Sequence, residues 1–149
     1  MKNSLSIGCD HRGLALKHKI ASWILPPKNS RFGVSLINDV GTHDSNKMDY
    51  PDIVKIFSNT IKKRTHGILI CGSGYGVSIA ANRFKDVRAV VCRTTKEAEM
   101  ARRHNNANVL CLGADFTTTS QAKKIVKTFF TTKFEGGRHQ RRVKKLGKL

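Results

Sequence analysis

Chemistry in this chain is best placed in Gly67-Ile68-Leu69-Ile70-Cys71-Gly72-Ser73-Gly74-Tyr75-Gly76, where an apolar run stops at a cysteine and alternate glycines follow. The residues from Val77 to Arg83 then read as the first turns of a helix. A strand that ends in a Gly-rich turn and opens a helix presents backbone N–H groups at the carboxyl edge of a sheet, where open α/β proteins place their sites. A helix N-terminus favours negative charge, so a thiol at its lip is set up to react as a thiolate. The segment therefore offers a base or nucleophile beside a hole for an anion. The same residues also describe a buried cysteine closing a strand, with glycines that only make a turn.

Several familiar chemistries fail on spacing. A dinucleotide site wants G-x-G-x-x-G and an acid roughly 20 residues on. Gly72 and Gly74 fit, but position 77 is Val, and the next strand ends in Cys92-Arg93 with no acid. A P-loop would need Gly-Lys-Ser/Thr after the glycines. A serine-hydrolase elbow would need glycine where Cys71 stands. Cys–His hydrolysis, pairing Cys71 with His104 or His11, stays open on residue types. Asp10, His11 and His43 are candidate metal ligands, but no HxxxH or CxxC spacing organises them.

The elements that would position Cys71 alternate along the chain. Leu5–Cys9, Val34–Val40, Gly67–Cys71, Val87–Cys92 and Ala107–Leu112 read as strands. Between them, Leu14 to Leu25 carries a helical stripe that Pro26-Pro27 ends, and Pro51 opens a helix whose buried face is Ile53, Val54, Phe57 and Ile61. Thr94 or Thr95 caps a helix over Lys96–Arg103, and Thr119/Ser120 start one that buries Ala122, Ile125, Val126, Phe129 and Phe130. The polar stretch Gly41–Tyr50 is long for an α/β connection and therefore a candidate functional loop. This order predicts a three-layer α/β/α Rossmann-like domain: a five-stranded parallel sheet covered on both faces, followed by a basic helical tail. Residues 1–149 form a single domain with no internal repeat, and the tail over 138–149 is expected to dock on a partner subunit.

Strand polarity divides the candidates. Asp10-His11 and Cys71-Gly72-Ser73 follow strands and share the carboxyl edge. His104-Asn105 precedes the fifth strand and so lies at the opposite edge of the same subunit. Either a bent loop returns these residues to the carboxyl edge or a second subunit completes the site; the second is favoured, because a symmetric dimer brings one protomer's helix end to the other's strand ends.

Composition bounds the partners. No run of about 18 apolar residues is present, so no membrane span is expected. The first residues run directly into a strand pattern, without the apolar core or cleavage site of a signal peptide. Cys9, Cys71, Cys92 and Cys111 are dispersed, which fits reduced thiols in a cytoplasm rather than a disulfide framework or a zinc site. Net charge is +18, from 28 Lys+Arg against 10 Asp+Glu. Six of the cations fall in 138–149, but the rest are scattered, and no RNP-type aromatic cluster or helix-turn-helix accompanies them. The charge suits a phosphorylated small molecule with a few placed cations better than nucleic acid, which stays as a distant alternative.

Six segments resemble, in order, the ribose-5-phosphate isomerase B family, which also includes galactose-6-phosphate isomerase subunits. They are Gly8-Cys9-Asp10-His11-Arg12-Gly13, Asp49-Tyr50-Pro51-Asp52, Gly67 to Gly74, Ser78-Ile79-Ala80-Ala81-Asn82, Arg103-His104-Asn105 with Ala107-Asn108-Val109-Leu110, and Phe134-Glu135-Gly136-Gly137-Arg138-His139-Gln140 with Arg142. The match is collinear from Ser4 to Lys145. It implies interconversion of an aldose phosphate and a ketose phosphate by a homodimer, or a dimer of dimers, with active sites shared between subunits and no metal or cofactor.

The resemblance also implies roles. Cys71 would move a proton between C1 and C2. The backbone N–H groups from Gly72 through Gly74 to Gly76 and the Ser73 hydroxyl would stabilise the enediolate, with Asn82 helping to hold the loop. His104 would open the sugar ring with Asp10 as its partner. Tyr50 and Asn105 would contact sugar hydroxyls, and Arg138, Arg142 and His11 the phosphate. Ribose 5-phosphate is the expected substrate, with allose or galactose 6-phosphate as the close alternative. Three positions depart from the family pattern. Ser73 stands where threonine is common, and Tyr75 where some branches place a catalytic glutamate. Asp115 stands where many members have a phosphate-binding arginine, so a carboxylate there is expected to repel phosphate.

Overall fold

The computed structural model describes residues 3–25, 30–62 and 65–149, and the helix stop expected at Pro26-Pro27 lies outside them. Five parallel strands, β1 (Asn3–Cys9), β2 (Val34–Asp39), β3 (His66–Cys71), β4 (Ala89–Val91) and β5 (Val109–Gly113), pair in the order β2-β1-β3-β5-β4. The core strands β3 and β5 are apolar on both faces because helices cover both. On one side lie α1 (Leu14–Ile24), α4 (Thr95–Asn105) and α5 (Thr119–Thr131), which bury Ile20, Ala98, Ile125 and Phe129 against Ile7, Ile68 and Leu110. On the other lie α2 (Tyr50–Ser58) and α3 (Tyr75–Ala81), which bury Val54, Phe57 and Val77 against Leu69 and Cys111. The tail after Gly137 forms α6 (Arg138–Leu146) on α4. The three-layer α/β/α reading therefore holds.

The chain runs from β1 outward to β2 on one side and then crosses back to β3 on the other, so the topological switch point opens between β1 and β3. Asp10 follows β1 and Cys71 ends β3.

Boundaries moved where side chains compete for backbone groups. The expected strand Val87–Cys92 pairs only over Ala89–Val91. At its entry the Asn82 amide accepts from the Ala89 N–H and donates to the Ala89 carbonyl, both at 2.8 Å. Asn108 Oδ1 takes the Arg88 N–H. The helix expected to start at Val77 starts at Tyr75, because Gly74 adopts φ +82° and turns the chain directly into it. Thr94 closes a capping box with Glu97, as its position predicts.

Candidate active site

The carboxyl edge gathers eight of the sequence-predicted residues. Cys71, at the end of β3, is buried, and its Sγ accepts a hydrogen bond from the Gly74 N–H at 3.1 Å. An N–H aimed at sulfur stabilises negative charge on it. Ser73 Oγ accepts from the Tyr75 N–H. The loop fits tightly against β5, since a methyl on Gly113 would lie 2.6 Å from the Ser73 carbonyl oxygen. Gly113 is therefore a site residue that the sequence reading missed; its only signal was its place at the end of β5.

The other three cysteines lie in the core away from this loop. Burial pushes the Cys9 thiol up to about 11 and the Cys92 thiol up to about 12. Burial raises Cys111 as well. These three are core thiols that stay protonated at neutral pH.

Asp10 caps the short 3-10 turn His11–Gly13, with Oδ1 accepting from the Arg12 and Gly13 N–H groups at 3.0 and 3.2 Å. His11 Nδ1 accepts from the Met48 N–H, which ties the Gly41–Tyr50 loop to β1. Tyr50 lies against Gly76, where a methyl would come within 2.6 Å of its ring. The glycine at 76 thus makes room for the tyrosine as well as shaping the loop. Gly72 leaves similar room beneath Arg12 and Asp115. Those two side chains form an ion pair at 2.5 Å. Asp115 is therefore paired with a cation rather than an unopposed carboxylate.

His104, Asn105, Asn82, Arg138 and Arg142 are not brought to Cys71 within one chain. His104 and Asn105 end α4, ahead of β5, whereas Cys71 pairs with Gly113 at the far end of β5. The length of β5 separates the two groups by roughly 15 Å. Asn82 follows α3, which carries the chain about 10 Å back from the cysteine loop. Its amide holds the start of β4 rather than the loop. Asn82 and Asn105 line one groove of about 1100 Å3 with Leu146 and Leu149.

At this amino edge His104 stacks on His139, with ring centroids 4.5 Å apart and planes 11° from parallel. Burial lowers the His139 pKa, and His104, Arg138 and Arg142 lower it further. His139 Nε2 is buried with no hydrogen-bond partner among the described residues. Glu135 pairs with Arg103 at 3.0 Å and approaches His104 Nε2 at 3.9 Å. Ligand atoms of His104, Glu135 and His139 lie within 4.8 Å of one another. Arg103 already engages the Glu135 carboxylate of this trio.

No helix among the described residues is long and apolar enough to cross a membrane.

Comparison with known proteins places this geometry. The family model described as Ribose/Galactose Isomerase matches residues 5–146. The probable ribose-5-phosphate isomerase B of Mycoplasma genitalium is 44% identical over 98% of this chain and 95% of its own length. The ribose-5-phosphate isomerase B of Escherichia coli is 41% identical over 93% of this chain and 91% of its own. The M. genitalium crystal structure with bound ribulose-5-phosphate superposes with a TM-score of 0.88 at 42% identity, covering 99% of this chain and 96% of that one. The Thermotoga maritima enzyme superposes at 0.90 with 38% identity over the whole of both chains.

Proposed function

The chain belongs to the ribose/galactose isomerase family, and on that premise we propose that it interconverts ribose 5-phosphate and ribulose 5-phosphate, with Cys71 as the base. The observation that carries this reading is the Cys71 thiol held at the switch point with the Gly74 N–H donating to its sulfur. In the open-chain aldose the Cys71 thiolate removes the proton from C2. The electron pair moves toward the C1 carbonyl, which gives an enediolate. The thiol returns the proton to C1 while the proton of the O2 hydroxyl passes to O1, and the ketose results with no net change in atoms or electrons. The Ser73 hydroxyl and the loop N–H groups are placed to stabilise the oxyanion; losing one such donor costs about 10²–10³ in rate. A base and fixed donors suffice for this proton shuttle, so the proposed reaction uses neither metal nor cofactor.

The amino-edge residues supply the remaining steps from a second subunit. His104 of a partner would give the ring oxygen a proton and take one from O1, with Asp10 beside it, while Asn105 holds a hydroxyl. Arg138 and Arg142, four apart on α6, would grip the phosphate, with His11 across from them. The proposed assembly is a homodimer, or a dimer of dimers, in which each site combines one subunit's carboxyl edge with the other's amino edge. Exposed Ile79 and Tyr75 on α3 give the carboxyl-edge loop an apolar flank for such a contact.

Turnover in excess chelator on ribose 5-phosphate, allose 6-phosphate and galactose 6-phosphate tests the reading. Ribose 5-phosphate should be isomerised, and Cys71→Ala, folded by circular dichroism, should lose about 10²–10⁴ in kcat. Preference for a six-carbon sugar would move the substrate within the family. Inactivity on all three would overturn the proposal.

A further inference from the structure

The Arg12–Asp115 pair lies outside every role assigned so far. Arg12 belongs to the 3-10 turn after β1, and its backbone N–H is fixed by Asp10. Its guanidinium crosses to Asp115, just past β5, and Nη2 meets Oδ2 at 2.5 Å. The Asp115 backbone N–H in turn donates to the Gly72 carbonyl at 3.0 Å. A methyl on Gly72 would lie 2.9 Å from Arg12 Nε and 3.0 Å from Asp115 Oδ2. The guanidinium thus lies close over the residue next to Cys71, where a larger side chain would push it aside.

The two side chains are 57% and 42% exposed, and an ion pair that wet contributes little to stability. Position is what the pair supplies. A guanidinium carries five donors in a rigid fork, and Asp115 takes the end of one arm. The remaining donors stand at the rim of the cysteine loop, within the region a sugar phosphate must enter.

We propose that Arg12 is a ligand for the substrate's phosphate and that Asp115 is a positioning residue holding the Arg12 guanidinium over Gly72. The inference rests on the sugar-phosphate reading above. The pair carries no net charge, so what Arg12 offers the phosphate is the oriented N–H donors that Asp115 leaves free.

Steady-state kinetics on ribose 5-phosphate, with titration calorimetry of inorganic phosphate, test this. Arg12→Ala should raise KM and weaken phosphate binding by about 10–100-fold, the loss expected for a charge-assisted hydrogen bond, with kcat changed far less. Asp115→Ala should raise KM by about 3–10-fold in the wild-type background and add nothing to Arg12→Ala, the non-additivity expected of a residue acting through another. Moving the cation, in the double variant Arg12→Ala/Asp115→Arg, should return KM toward wild type. An unchanged KM and phosphate affinity in Arg12→Ala would overturn the ligand assignment. A lowered KM in Asp115→Ala would overturn the positioning assignment and make the carboxylate a repulsive element. A wild-type protein inactive on sugar phosphates would overturn the parent reading, while the phosphate titration still reports on Arg12 independently.

Discussion

Environment, not identity, separates the titratable residues of this chain. Four cysteines share one side chain, yet three are core thiols raised by burial and only Cys71 ends its strand at an N–H donor. The sequence singled out Cys71 because alternate glycines follow it directly. His66 was not legible in the same way. It begins β3, packs edge-on against Phe129 and lies near Phe130, and burial with Arg102 and Arg88 lowers its pKa to about 4. The folded state therefore holds it neutral while the unfolded chain protonates near 6.5. Between about pH 6.5 and 4 the unfolded chain binds more protons, so stability is full above that window and falls as pH drops through it. The expected loss is on the order of 2–3 kcal/mol. His139 shifts in the same direction, so the measure is the difference between wild type and His66→Gln in urea-unfolding free energy against pH. A difference that does not change across the window would remove the assignment.

At the scale of elements, the switch-point loops are held by residues that a periodicity reading counts as solvent-facing. Lys17 is the clearest case. It sits on α1 with its side chain fully buried, and Nζ donates to Asp39 Oδ1 and the Thr42 carbonyl, each at 2.7 Å. It thereby ties α1 to the end of β2 and to the loop that carries Tyr50. Nothing local to Lys17 reveals this, because its carboxylate partner lies 22 residues away. Lys17→Met keeps the apolar stem and removes the charge. It should cost about 2–4 kcal/mol, because it leaves the Thr42 carbonyl without its donor and the Asp39 carboxylate without its cation. It should also raise KM for ribose 5-phosphate by loosening Tyr50. A urea midpoint equal to wild type would show that the pair does not hold the loop. The shortened β4 makes the same point at its entry: Val87 has strand-forming character, but Asn108 Oδ1 takes the Arg88 N–H and Asn82 the Ala89 N–H.

For the whole molecule, the decisive fact is that the predicted site residues fall on two edges of one sheet. If subunits share sites, two dead variants should rescue each other. Cys71→Ala and His104→Ala, unfolded together and refolded as a mixture, would form hybrids with one intact site, giving about a quarter of wild-type activity. Activity no higher than the sum of the separate variants would place the whole site within one chain. The sequence by itself determined the alternation of strands and helices, the parallel sheet, the cysteine loop and the division of candidates between edges. Those follow from local periodicity, turn chemistry and the fixed polarity of β-α-β crossovers, all written in short stretches of chain. Only the tertiary structure decided that Asp115 faces Arg12 and that Gly113 backs Ser73. It alone showed that Lys17 is buried and that His139 lies on His104. Each of these joins residues distant in the chain, so it depends on how the layers stack and on which side chains the packing leaves together.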